Sequence, residues 1–340
     1  MTQPVSKRSA LVRPIGVILL LSVLVFIVAV ISMNVGRLNL SPIEVLQVII
    51  GQGTEKQNLI VFDLRLPRIA LAILVGMGMS ISGCVMQGLL KNDLASPGTL
   101  GISSGSGLFV LLYITVFAAN GLLSPLLLPL LAFVGGITAA MLIFALAYRK
   151  GRELSPTGLI LTGVAMGSGY GALSLVITLG LDQKQYDFAL RWQIGNLWGD
   201  DWKYIMVLFP WVIVLGFYVL YKSNTLNALN LGNQTATGLG VALKREFIGL
   251  ALAAVALSSG SVALGGNFFF VGLIGPHMAR RLVGPNHKFM IPTAALIGAL
   301  VILVADTFTR TVSVGADIPT GVIITIFVTP YFLYLLSKSN

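Results

Sequence analysis

Long uncharged segments alternate with short polar ones along the whole chain. Charge-free runs extend from Asp93 to Arg149 and from Glu246 to Arg280, and shorter runs of the same kind separate most of the other charged residues. A water-soluble fold needs polar side chains on the outer face of nearly every helix or strand, and this spacing of charges does not provide them. The pattern therefore predicts a protein that is embedded in a lipid bilayer.

The apolar runs predict about ten membrane-spanning helices and an all-α fold. Crossing a hydrocarbon layer of about 30 Å takes roughly 20 helical residues. Gly and Pro near residues 121–129 and 265–267 mark points where the longest runs reverse, and the period-two alternation typical of barrel strands is not seen. The predicted spans, which form one transmembrane domain over residues 1–340, are 15–33, 66–90, 98–118, 124–147, 156–179, 203–221, 247–264, 268–283, 290–309 and 318–336.

Composition agrees with a membrane protein, and the position of the basic residues predicts its orientation. The 340 residues are 56% hydrophobic and 10% charged. An even number of spans puts both termini on one side, and the loops predicted there carry fourteen of the 22 Lys and Arg residues. Because such residues accumulate in cytoplasmic loops, both termini are predicted to be cytoplasmic. This bias explains the net charge of +10 better than nucleic-acid binding does, since no basic stripe is interleaved with aromatics.

Three polar connections are too long to be simple turns. Residues 34–64 are predicted outside, with an amphipathic helix at 41–50 whose Ser-Pro start suits a helix N-terminus. The segment 182–201, also outside, carries tryptophans including Trp192 and is expected to lie at the lipid headgroups. Residues 222–245 are predicted to be cytoplasmic and to form a docking surface, with a solvated linker as the alternative.

The chain lacks the sequence motifs of an enzyme, including those for binding and hydrolysing ATP. It has no glycine-rich phosphate loop ending in Lys-Ser or Lys-Thr, and His277 and His287 form no metal-binding pattern. An ion-driven carrier places ionisable groups within helices. Asp306 is the candidate here, but Arg310 follows four residues later and a local ion pair is the simpler interpretation. We therefore expect another molecule to supply the energy for transport. The alternative functions are an ion-coupled secondary carrier and a membrane scaffold without cargo.

Small residues line one face of two predicted helices. Gly163, Gly167 and Gly171 recur at every fourth position of the fifth span, and Gly76 and Gly83 belong to a similar face of the second. Such faces permit close contact between helices. We favour this packing role over an open wall of a transport pathway.

Several motifs, found in one order along the chain, resemble a known transporter family. They are RLPR at 65–68, QGLLKNDLASPGTLG at 87–101, FVGLIGPH at 270–277, LVG at 282–284 and IPTGV at 318–322, with Trp192, Gly195, Leu197 and Trp202 between the second and third. Over residues 10–338 the chain is similar to the permease subunits of iron-siderophore and cobalamin ABC importers, the FecCD family.

The resemblance implies a permease that works with several partners. A second permease subunit, identical or paralogous, completes a central path, two cytoplasmic ATPases use ATP and Mg, and a substrate-binding protein docks outside. The permease itself has no catalytic residue and binds no cofactor or metal. The implied location is the cytoplasmic membrane of a prokaryote. Ferric siderophore is the expected cargo, with cobalamin or haem as the alternative.

By the same resemblance, Arg65, Arg68 and Arg310 are assigned to docking of the binding protein. An arginine offers a fixed fork that binds a carboxylate through two hydrogen bonds, and complementary charge orients the partner. The alternative for Arg65 and Arg68 is that they anchor a helix at the lipid headgroups.

The resemblance also implies two cytoplasmic sites. ATPase coupling falls within residues 222–245, around Thr237, Gly238, Leu239 and Gly240. The inner-gate candidates, for which ordinary turn and cap roles are the alternative, are Asn92, Leu94, Ser155 and Thr157. Asp93 stands where the family commonly has Pro, and this departure is expected to change the stiffness and charge of its loop.

Overall fold

The predicted all-α fold is confirmed. The computed structural model describes residues 7–36, 40–118, 127–147, 156–198, 200–312 and 318–338, and these residues form helices and no strand. Two π-helical stretches, Leu59–Arg65 and Tyr113–Ala118, continue neighbouring helices. The helices are α1 (Lys7–Asn34), α2 (Pro42–Ile49), α3 (Glu55–Asn58), α4 (Leu66–Leu90), α5 (Ile102–Leu112), α6 (Leu127–Ala147), α7 (Pro156–Leu179), α8 (Gln183–Ile194), α9 (Trp202–Tyr221), α10 (Ser223–Asn230), α11 (Asn233–Gly238), α12 (Leu243–Gly265), α13 (Val271–Val283), α14 (His287–Thr311) and α15 (Thr320–Lys338).

Each of the ten predicted spans contains a described helix, but these helices differ in length. Within the described ranges, seven helical segments are long and apolar enough to cross a membrane: α1, the column Glu55–Leu90, α6, α7, α9, α12 and α14. The apolar helices α5 and α15 are shorter. The segment predicted at 268–283 is α13, which has 13 residues. A helix of that length rises about 20 Å and does not cross the hydrocarbon layer by itself.

The helix predicted at 41–50 is α2, and its first turn explains why it forms. The hydroxyl of Ser41 accepts a hydrogen bond from the backbone N–H of Glu44 at 3.2 Å, and the Glu44 carboxylate accepts one from the backbone N–H of Ser41 at 2.7 Å. This capping box satisfies backbone donors that have no partner within the helix. The same bonds, above all the one from the Ser41 backbone, hold the pKa of Glu44 below its usual value.

The second span begins earlier than the sequence predicted. α3, the π-helical stretch and α4 form one continuous column, Glu55–Leu90, whereas the predicted span begins at residue 66. The added turns include Lys56 and Asp63, which a hydropathy pattern counts against a membrane segment. A helix that extends beyond the hydrocarbon layer carries such residues without interruption, so hydropathy marks the lipid boundary and not the end of the helix.

The prediction that residues 182–201 lie at the lipid headgroups is wrong for Trp192. That side chain, on α8, is 3% exposed and belongs to the hydrophobic core. The indole N–H groups of Trp198 and Trp202 donate to the backbone carbonyls of Ala263 and Phe62, each at 2.8 Å. These two bonds attach the segment to α12 and to the π-helical stretch Leu59–Arg65, so it packs against the bundle.

α4 is the central helix of the bundle, packed against α9, α12, α13 and α14. The span that contains it is 83% buried, against 11% for α1 and 17% for α7. The peripheral helices expose large apolar side chains, including Phe26, Leu161, Val176 and Phe217. A soluble protein rarely exposes apolar surface on this scale, and such surfaces suit contact with lipid or with another membrane subunit.

Glycines bring α4 into backbone contact with α14 and α13. A Cβ atom on Gly76 would lie 2.3 Å from the carbonyl oxygen of Gly298, and one on Gly298 would lie 2.2 Å from that of Gly76. A Cβ on Gly83 would lie 1.7 Å from the carbonyl oxygen of Gly272. In a bilayer, where apolar burial between helices gains little, close packing of this kind drives association. The packing role inferred for Gly76 and Gly83 is confirmed.

The chain reverses between α12 and α13, where the sequence predicted a turn at 265–267. Gly266 adopts φ 71° and ψ −164°, a conformation that residues with a Cβ rarely adopt. A Cβ there would also lie 2.2 Å from the carbonyl oxygen of Trp192. Both backbone conformation and space therefore require glycine at this turn.

Gly76→Ala is expected to destabilise the purified protein by about 1–3 kcal/mol, because the added methyl group meets backbone atoms that have no room to move. Cys84 is the one cysteine of the chain and is buried, so its labelling by a thiol-reactive dye during heating measures unfolding. Gly171→Ala is the control, since a Cβ there meets no atom within 4 Å. Equal melting temperatures for the two variants would contradict the packing described here.

Candidate docking and coupling sites

The three arginines assigned to docking lie at one end of the bundle, which we call the arginine face. Arg65 and Arg68 stand where α4 begins, and Arg310 lies in the last turn of α14. Asp306, one turn before Arg310, binds both Arg68 and Arg310. A single carboxylate therefore lies between two of the cations.

Asp306 is fully buried, and its carboxylate is held by hydrogen bonds from both arginines. Arg68 donates from Nε to Oδ1 at 3.0 Å and approaches the same oxygen with Nη2 at 2.9 Å. Arg310 donates from Nε to Oδ2 at 3.0 Å. Burial of a charge is tolerated when it is paired and hydrogen-bonded. The predicted local pair of Asp306 and Arg310 is confirmed, and the contact with Arg68 adds a link between α14 and α4.

Two of the arginines also fix α1 to the bundle. Arg310 donates to the hydroxyl of Ser32, and Arg65 donates to the backbone carbonyl of Met33. The side chain of Arg65 is 5% exposed, so little of it is accessible from the surface of this subunit. Arg68 and Arg310 are more accessible, at 23% and 17% of their side chains. Docking by all three residues stays a prediction.

A second carboxylate approaches Arg68 from the connection between α8 and α9. Oδ2 of Asp200 lies 3.5 Å from Nη1 of Arg68, and the Asp200 side chain is 46% exposed. The next residue, Asp201, pairs with Lys203 at 2.9 Å, and both of these side chains are 55% exposed. Arg68 is thus held by a buried carboxylate on one edge and approached by an exposed one on another.

The predicted coupling segment, residues 222–245, contains the short helices α10 and α11. Its first residue, Lys222, forms an ion pair with Glu246 in the first turn of α12, with Nζ at 2.8 Å from Oε1. This bond to Glu246 raises the pKa of Lys222 above its usual value. The four residues assigned to ATPase coupling are all exposed, namely Thr237, Gly238, Leu239 and Gly240. The side chains of Leu231 and Leu239 are 66% and 64% exposed.

Asn227 of α10 holds the first residue of α14. Its Oδ1 accepts the backbone N–H of His287 at 2.9 Å and lies 2.9 Å from Nδ1 of the same residue, which is buried. Its Nδ2 donates to Oδ1 of Asn286 at 3.0 Å. The coupling segment therefore lies at the opposite end of α14 from the arginine face, and one 25-residue helix joins the two.

The loop between α4 and α5, which carries two gate candidates, is a structured turn. The backbone N–H of Leu94 donates to Oδ1 of Asn92 at 2.8 Å, as in other turns stabilised by an asparagine side chain. Leu94 is 45% exposed. The other two candidates belong to the region before and at the start of α7, where Ser155 lies outside the described residues and Thr157 is exposed. The gate role of all four stays a prediction.

Charged side chains tie this loop to two other elements. Asp93 forms an ion pair with Arg280 in the last turn of α13. Nζ of Lys91 lies 3.4 Å from Oδ1 of Asn233, the first residue of α11. Asp93 and Lys91 therefore attach this loop to α13 and α11.

The glycine face of α7 packs at one end and is open at the other. A Cβ on Gly163 would lie 2.8 Å from Cα of Leu100, and one on Gly167 would lie 3.4 Å from Cα of Gly101. A Cβ on Gly171 meets no atom within 4 Å. The first two glycines thus let α7 approach the start of α5, while a pathway role for this face stays a prediction.

One cavity of the chain lies among α4, α5, α6, α7 and α12. Its volume is about 120 Å³, and its walls are apolar, with Met86, Leu90, Leu100, Ile143, Phe144 and Phe247 among its lining residues. Binding pockets for small molecules commonly measure about 300–1,000 Å³. This cavity therefore does not have the size of a site for a metal chelate.

Sequence reasoning identified Arg68 and Asp306 separately and missed their contact. The two residues are 238 positions apart. The sequence did indicate that each residue has a partner, because both lie within otherwise apolar helices, where a charge requires one. Without the tertiary fold, that rule does not select Arg68 over another cation.

With this architecture, the protein is a polytopic α-helical membrane permease, and the chain belongs to the FecCD transport family. The family model matches residues 23–338. This range includes the whole bundle from the middle of α1 to the end of α15.

Named relatives and a solved structure agree with this membership. The chain is 42% identical to the iron(3+)-hydroxamate import system permease protein FhuG of Bacillus subtilis, over 96% of this chain and 98% of that protein. It is 37% identical to the Fe(3+)-citrate import system permease protein YfmE of the same organism, over 95% of both. Its fold is similar to that of a putative metal-chelate type ABC transporter in an inward-facing conformation, with a TM-score of 0.79 and 29% identity over 96% of this chain and 99% of the other.

Asp306→Asn is expected to lower the stability of the protein by up to about 3–5 kcal/mol, because it leaves two partly buried guanidinium groups without their carboxylate. The measurement is again thermal labelling of the buried Cys84. Asp201→Asn removes the same charge from an exposed pair, and such pairs often contribute nothing measurable. Similar melting temperatures for both variants would show that Asp306 does not link α4 to α14.

Proposed function

We propose that this chain is one of two permease subunits of an ATP-driven importer for ferric siderophores in a prokaryotic cytoplasmic membrane. The observation that carries the proposal is the arrangement of two prospective docking surfaces at opposite ends of α14. One end carries Asp306 with its arginines, and the other is bonded to the coupling segment through Asn227. A helix fixed at both ends is suited to transmit rigid-body motion between an ATPase and an external binding protein.

The energy source in this proposal is a separate ATPase. The chain has no phosphate-binding loop of its own. Leu231 and Leu239 are exposed on the coupling segment, at the end of the bundle where the polar connection 222–245 leaves the apolar spans. Exposed apolar residues rimmed by polar ones are typical of a protein interface. We assign this surface to the ATPase and place it, with both termini, in the cytoplasm.

A second permease subunit is part of the proposal because the cavity described among α4, α5, α6, α7 and α12 is too small for the cargo. The cavity described above measures about 120 Å³ and is apolar, whereas a ferric siderophore is large and polar. A path between two subunits, each with α4 near its centre, does not require such a cavity within either one. The second subunit is either identical to this chain or a paralogue of it.

Ferric hydroxamate is the cargo class we test first, because the permease named for iron(3+)-hydroxamate import is 42% identical to this chain. The Fe(3+)-citrate permease, at 37%, widens the class to ferric chelates in general. Cobalamin and haem are the alternative cargoes. The chelate satisfies the coordination of its iron, so the permease does not need metal ligands, and His277 and His287 are not assigned to one.

An ion-coupled carrier is the second candidate, and the geometry of Asp306 argues against it. A coupling carboxylate must bind and release a proton or cation during each cycle. Asp306 is fully buried and its carboxylate is bonded to two guanidinium groups, so it is not placed to exchange a proton or a cation with solvent.

Uptake of a ferric hydroxamate into proteoliposomes is expected to require ATP, the partner ATPase, the second permease subunit and the binding protein. Reversal of Arg68 and Arg310 to Glu is expected to abolish uptake, because it replaces cations that attract carboxylates with anions. Lys203→Glu, at an exposed cation near the same face, is the matched control and is expected to retain uptake. Uptake by this chain alone, driven by an ion gradient, would refute the proposal.

Leu239→Arg is expected to release the ATPase from the purified complex and to abolish substrate-stimulated ATP turnover, since it places a charge in the proposed apolar contact. Leu239→Met keeps the apolar surface and is expected to retain both properties. Co-purification and phosphate release are the measurements. The assignment fails if the ATPase remains bound to the arginine variant, or if a cysteine placed at Gln234 in the same segment is labelled from outside the cell.

A further inference from the structure

The guanidinium group of Arg68 has two edges that can bind a carboxylate, and Asp306 occupies only one. Asp306 is bound through Nε and Nη2, at 3.0 and 2.9 Å. The remaining edge is formed by Nη1 and the second hydrogen of Nη2. Because Asp306 is buried and also bound by Arg310, it fixes the orientation of Arg68 and so determines where the other edge points.

Asp200 is the carboxylate on that other edge, and its contact is the weaker one. Its Oδ2 lies 3.5 Å from Nη1, its side chain is 46% exposed, and it belongs to the connection between α8 and α9 and not to a helix. A charge-assisted bond between nitrogen and oxygen is commonly about 2.7–2.9 Å long. Asp200 therefore lies in the position of a partner's carboxylate without forming the full bidentate contact.

We propose that Asp200 is an intramolecular competitor for the docking edge of Arg68, which a carboxylate of the substrate-binding protein displaces when it docks. This inference rests on the proposed function, because it needs a partner that presents an acidic side chain. The exposed position of Asp200 lets it move away without burying an unpaired charge. Asp306 stays in place during the exchange and keeps Arg68 directed toward the partner.

A partner's carboxylate must replace the contact between Asp200 and Arg68, so docking is weakened by the free energy of that contact. An exposed ion pair contributes little, about 0.2–1 kcal/mol, so removal of the competitor corresponds to docking that is about 1.4- to 5-fold tighter. The consequence for transport is faster release of the binding protein after delivery, because affinity differences between related complexes lie mostly in the dissociation rate.

The test measures docking of the purified substrate-binding protein of the same importer to the complete transporter in nanodiscs. Asp200→Asn is expected to tighten docking about 1.4- to 5-fold. Asp201→Asn removes the same charge one residue away, from a carboxylate that pairs with Lys203, and controls for the general rise in positive charge. In an Arg68→Gln background, Asp200→Asn is expected to change nothing. The proposal is overturned if Asp200→Asn has no larger effect than Asp201→Asn, or if its effect persists without Arg68.

A second measurement needs no partner and separates this inference from the proposed function. Phenylglyoxal condenses with the two terminal nitrogens of a guanidinium group, the pair that forms the edge occupied by Asp200. Asp200→Asn is expected to accelerate modification of Arg68, as measured by mass spectrometry of its peptide, whereas Asp201→Asn is not. Absence of docking in the wild-type complex would refute the proposed function, while equal modification rates in all three proteins would refute the competitor.

Discussion

The inability of lipid to solvate charge is the constraint on which the rest of this structure depends. A carboxylate within a membrane helix must find its partners inside the protein, and Asp306 finds them in Arg68 and Arg310. These bonds join the start of α4 to the end of α14, and Arg310 carries the attachment on to Ser32 of α1. The charges of the arginine face are therefore also the charges that hold three helices together.

The lipid environment also explains why glycines form the helix contacts at the centre of the bundle. Lipid tails are as apolar as leucine, so helices gain little by hiding apolar surface and must gain from close contact instead. Gly76 meets Gly298, and Gly83 meets Gly272, with backbones in direct contact. α4 is thereby held against α14 and α13, while α1 and α7 keep most of their surface for lipid. Helices held in such close contact are expected to move together as one rigid body, which suits a permease that is driven from one end.

Function in this arrangement follows from what the two ends of α14 contact. At its first residue the helix is bonded to Asn227 of the coupling segment, and near its last it carries the carboxylate that orients Arg68. In the loop that contains Asn92 and Leu94, Asp93 forms an ion pair with α13 and Lys91 contacts the first residue of α11. The segment 222–245 therefore contacts the loop between α4 and α5 directly, and it is joined through α14 to the arginine face.

The sequence alone determined the membrane environment, the all-α class and the helix N-terminus at Ser41, because each depends on local composition or on neighbours in the chain. It also predicted the pair of Asp306 and Arg310, which are one helical turn apart. Only the tertiary structure decided that Trp192 is buried, that Arg68 binds Asp306 and that Asp200 lies near the second edge of Arg68. These contacts join residues from distant segments, and the rule that a buried charge needs a partner does not state which partner the fold will bring near.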